Sequence, residues 1–127
     1  MKVVLFSEFY VVKDYSMNVS EASVEEIKKA FIKSCLTFDP SCFKPFLYAE
    51  KFACDIDRRK FFRLFKNMLA ASKAQSEGEL TLKIENKTYE GRGVTQYCFY
   101  DAVHKYARLS VNVVETKESV NFEILPF

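Results

Sequence analysis

The chain has 127 residues, 49% of them apolar, with thirteen Phe and a formal net charge of +2. That length suits one domain around one core (residues 1–127), and the composition argues against disorder. With 19 basic and 17 acidic residues, the balance disfavours a binder working by bulk phosphate neutralisation, though it leaves room for a local basic patch.

Residues 2–13 (KVVLFSEFYVVK) read as a long strand with apolar side chains on both faces. A helix follows. Ser23 and Glu26 have the spacing of a capping box, and Ile27, Ala30, Phe31, Ser34, Cys35 and Phe38 follow helical periodicity as far as the stop at Pro40. Glu25 and Lys29 are set for an i,i+4 pair. Residues 41–54 are expected to form a shorter helix, with Pro45 tolerated in its first turn.

Asp55 is the expected cap of a third helix, Ile56 to Lys73. Phe61, Leu64, Phe65, Met68 and Leu69 form its apolar stripe, and Arg59, Arg63, Lys66 and Lys73 lie opposite. Clean alternation in residues 79–85 then predicts a half-exposed strand, turning at Asn86-Lys87 and returning over Thr88–Val94. Residues 95–109 fit two patterns. As a helix, Phe99, Ala102, Val103 and Tyr106 face inward; as a meander, Gln96–Tyr100 and Lys105–Glu115 are strands. The polar spacing favours the helix. A last hairpin turns near Lys117-Glu118 between Val111/Val113 and Val120/Phe122/Ile124.

The expected fold is α+β: a mostly antiparallel sheet of about five strands with two to four helices packed on it, in the order β-α-α-α-β-β-(α or β)-β-β.

No metal or cofactor is implied. Cys35, Cys42, Cys54 and Cys98 contain no C-x-x-C, and His104 is the single histidine. The cysteines read as reduced, buried side chains. Residues 3–6 lack the flanks of a signal peptide, and no run approaches the ~18 apolar residues of a membrane span. The expectation is a cytoplasmic protein without membrane contact.

Five cations between Arg58 and Lys66 (RRKFFRLFK) form the sharpest charge feature. They suit phosphates or an acidic partner, although a solvated helix face over a Phe-rich underside is the simpler explanation. Asp101 and His104 are spaced to share a proton, but a nucleophile is missing: on a helix Cys98 points elsewhere. Glu25/Glu26 and Asp55/Asp57 coincide with helix starts, where the dipole accounts for them. Gly91-Arg92-Gly93 lacks the third glycine and the context of a dinucleotide fingerprint.

The leading expectation is a non-enzymatic protein-binding domain. A short, single-domain, Phe- and Lys-rich chain without motifs is similar in general character to bacterial immunity proteins, which neutralise a toxin domain by docking over its active site. Arg59, Arg63, Lys66, His104 and Arg108 are the candidate partner-binding residues. The alternatives are a small enzyme built on Cys98, His104 or Asp101, and a nucleic-acid module using the Arg58–Lys66 helix.

Overall fold

The computed structural model describes residues 19–124. The strand expected over residues 2–13 lies outside them. After a short 3₁₀ turn at Val19–Glu21 comes helix α1 (Val24–Thr37). Its expected start is observed: Ser23 Oγ accepts from the Glu26 N–H (3.1 Å), and Glu26 Oε1 accepts from the Ser23 N–H (2.8 Å). The stop comes earlier than Pro40. Phe38 adopts φ +56° and closes the helix with its own N–H and that of Asp39, which reach back to the carbonyls of Cys35 and Ser34. The Phe38 ring packs against the core, so a bulky residue occupies a position usually given to glycine.

Residues 41–54 are not a helix. They form two 3₁₀ turns, Pro40–Cys42 and Lys44–Phe46, and then an extended bridge at Phe52. Pro40 and Pro45 each remove a backbone donor, and the Asp39 carboxylate caps the first turn through the Ser41 N–H (3.0 Å). The resulting path drives Phe43, Leu47 and Phe52 into the core.

Helix α2 (Arg58–Gln75) starts two residues later than expected. Asp57 rather than Asp55 is its cap, accepting from the N–H groups of Arg59 (2.9 Å) and Lys60 (3.0 Å). Phe61, Phe65, Met68 and Leu69 are buried as the pattern predicts, and Leu64 is half-buried.

The second half is a four-stranded antiparallel meander of β1 (Thr81–Tyr89), β2 (Arg92–Tyr100), β3 (Leu109–Glu115) and β4 (Val120–Glu123), paired in that order. The β1–β2 turn is Glu90-Gly91, not Asn86-Lys87. Both turn residues have positive φ (+51° and +80°), as a two-residue turn matching strand twist requires, and Gly91 meets that need where Lys87 would not. Asn86 and Lys87 remain in register opposite Thr95 and Val94.

The helix favoured over residues 95–109 is also overturned. Residues up to Tyr100 belong to β2, residues 101–108 form a loop, and β3 begins at Leu109. Tyr97 and Phe99 point into the core, whereas Gln96, Cys98 and Tyr100 point to the other face, a period-2 pattern that the sheet selects over helical spacing. The final hairpin turns at residues 116–119 as expected.

One cluster of aromatic rings joins helices to sheet. Phe31 of α1 stacks on Phe122 of β4 (3.8 Å between centroids) and on Phe65 of α2 (4.9 Å), while Phe43 meets both Phe31 (5.6 Å) and Phe122 (5.9 Å) edge-on. The segment before α2 adds to the sheet edge: Val120 N–H donates to Lys51 O and Ala53 N–H to Val120 O. Among the described residues, no helix is long and apolar enough to cross a membrane.

Candidate functional site: the loop between β2 and β3

The loop of residues 101–108 is built around one carboxylate. The Asp101 side chain is fully shielded from solvent. Its Oδ1 accepts from the N–H groups of Val103 (3.1 Å) and His104 (2.7 Å), and its Oδ2 accepts from Glu77 N–H (2.9 Å) and His104 Nδ1–H (2.7 Å). These four bonds match the acceptor capacity of an ionised carboxylate. Burial alone would raise the Asp101 carboxyl, but the donors from His104, Glu77 and Val103 outweigh it and hold the group well below the usual carboxylate range.

Two consequences follow for shape. The bonds to Val103 and His104 close the loop on itself, and the bond from Glu77 ties it to the chain just after the C-terminus of α2. Arg108 strengthens the far side: its N–H donates to Phe99 O (2.8 Å), and its Nε donates to Tyr106 O (3.2 Å). The loop is therefore ordered from both ends, yet it presents Tyr106 at 75% exposure and Val103 at 62%. Lys105 is exposed beside them, and His104 and Arg108 are half-buried.

Sequence reasoning paired Asp101 with His104, and the two are bonded, but in a loop rather than on a helix. It placed Ala102, Val103 and Tyr106 inward; all three are exposed. The missed signal was Asp101 itself, a residue suited to accept backbone N–H groups two and three positions on, at the end of a strand of β-formers.

The Asp101–His104 pair has the arrangement of an oriented general base, with Nδ1 held by a buried carboxylate. No nucleophile is bonded to this imidazole among the described residues. Cys98 lies on β2 with its Sγ directed at Gln96 Oε1 (3.7 Å) and not at His104. Tyr100 donates its hydroxyl to Glu85 (3.0 Å), which lowers the Glu85 carboxyl and raises the phenol. Burial pushes the Cys35 thiol up, and burial does the same to Cys54. None of the four cysteines is bridged, and among the described residues no group of three or more His, Cys, Asp or Glu could hold a metal ion.

The other candidates lie on α2. Arg59, Arg63 and Lys66 share its exposed face with Lys73. Arg58 turns inward instead, donating to Leu47 O (2.8 Å) with its guanidinium 5.9 Å from the Tyr48 ring centroid and 5.4 Å from that of Phe52. The five predicted partner-binding residues thus form two groups, Arg59/Arg63/Lys66 on the helix and His104/Arg108 on the loop. On α1, Lys28 rather than Lys29 pairs with Glu25 (3.0 Å), and it also binds Glu115 of β3 (2.9 Å). The Glu115 bond is the main reason its ammonium is held protonated. A cavity of about 340 Å³ opens beside this pair, lined among others by Tyr97, Thr95 and Val113.

Comparison with protein-family models, curated proteins and solved structures finds no match for this chain.

Proposed function

We propose that this chain is a non-enzymatic protein-binding domain whose principal contact is the loop of residues 101–108. What supports the reading is the exposure of Tyr106 and Val103 on a loop that one buried carboxylate orders through four hydrogen bonds. Tyrosine and arginine are favoured anchors at interfaces, and a loop already ordered in the free protein loses less entropy on docking. The carboxylate is saturated by three donors of its own loop and by Glu77 N–H, which favours a scaffolding role over proton transfer.

In its narrower form the proposal is an immunity protein, one that neutralises a toxin domain by covering its active site and performs no chemistry itself. Tagged full-length chain recovered from its native cells tests the broad form. A stoichiometric protein partner is expected with the unaltered chain and is expected to be lost with Tyr106→Ala; a partner retained equally by both would remove the loop from the account. The narrower form predicts that the captured partner is toxic when expressed alone and harmless when this chain is co-expressed.

A further inference from the structure

Helix α2 carries six of the chain's nineteen cations and none of its seventeen acids, which leaves a net charge of −4 on all other residues together. The distribution along the helix is unfavourable in isolation. Arg58, Arg59 and Lys60 occupy the first turn, where the helix dipole repels cations, and the turn itself contains no acid. Among the described residues, the side chains of Arg59, Lys60 and Arg63 enter no ion pair or hydrogen bond, and Lys66 contacts only the Phe62 ring (5.5 Å). The Asp57 cap offsets part of this repulsion at the N-terminus; the exposed cations further along have no such counter-charge within the helix, and an anionic partner would supply one.

The extent of the patch narrows the partner. From Arg59 to Lys73 the exposed cations run about 21 Å along one helix face. Exposed acids flank the stripe in the chain on both sides, Asp55 and Asp57 before it and Glu77 and Glu79 after it. A phosphate chain continuing in either direction would meet like charge. A discrete acidic patch of similar length would not.

We infer that the Arg59–Arg63–Lys66–Lys73 face of α2 docks an acidic patch on a protein partner, such as a helix bearing glutamates at matching spacing. The inference rests on the protein-binding reading for the class of partner, but on a surface separate from the loop. Exposed charge pairs contribute little singly, so the contact would act together with the loop and set orientation and encounter rate.

The test uses a helical peptide of about 20 residues whose glutamates are spaced to match the stripe, with a single-stranded and a duplex DNA of similar length as competitors. Full-length protein is compared with the triple variant Arg59→Gln, Arg63→Gln, Lys66→Gln and with Tyr106→Ala, with folding of each checked by thermal melting. The expected result is peptide binding at low ionic strength that weakens about tenfold in the triple variant. It should be unchanged in Tyr106→Ala and stronger than binding of either DNA. Absence of peptide binding, equal binding by the triple variant, or tighter binding of DNA would overturn the inference. The loop reading fails separately, if Tyr106→Ala retains the cellular partner.

Discussion

At the scale of single residues, three side chains carry opposite kinds of energy. Phe31 is fully buried between Phe122 and Phe65. Phe31→Ala should destabilise the protein by about 3–5 kcal/mol in a denaturant titration, because it removes ring contacts on both sides and leaves a cavity. Arg59 has the reverse sign. It sits in the first turn of α2 without an ion pair among the described residues, so Arg59→Glu should stabilise by about 0.3–1 kcal/mol. A gain in stability from the same position that weakens acidic-peptide binding would be the mark of a residue kept for contact. Asp101 is governed by pH. Its carboxyl is depressed in the folded protein, so the stability it contributes is complete above the unfolded value of about 4 and falls away as the pH drops below it. Melting temperatures at neutral and acidic pH should therefore differ less in Asp101→Asn than in the unaltered chain.

At the scale of elements, what was legible depended on whether the signal was local. The start of α1 was readable because Ser23 and Glu26 complete their cap within four residues, and the stripe of α2 was readable because its apolar and basic sides do not overlap. The end of α1 was not, since the left-handed residue is Phe38, held there by packing rather than by its own preference. Residues 95–109 carried helical polar spacing, and pairing of Thr95–Phe99 with β1 on one side and β3 on the other decides for strand. The β1–β2 turn has the same lesson in miniature. Gly91 was visible, but the register that puts Glu90 before it belongs to the whole hairpin. Because Glu90 is held at φ +51°, Glu90→Asn should stabilise by about 0.5 kcal/mol, measured by denaturant titration.

At the scale of the molecule, the candidate site was half legible. Charge periodicity alone picked out Arg59, Arg63 and Lys66, and all three are exposed on one face. Helical spacing turns Tyr106 toward the core, with an interface as its role if exposed; the loop that exposes it is tied by Asp101 to Glu77, 24 positions earlier in the chain. Such a contact has no periodic trace. The resulting surface has an ordered loop bound to one end of a basic helix, on a chain whose remaining charge is acidic. The most direct test of the protein-binding account is calorimetric titration of the captured partner into the unaltered chain and into Tyr106→Ala. The account predicts a loss of about 2 kcal/mol, or about thirtyfold in Kd, with the variant's melting temperature unchanged. An unchanged Kd would contradict it.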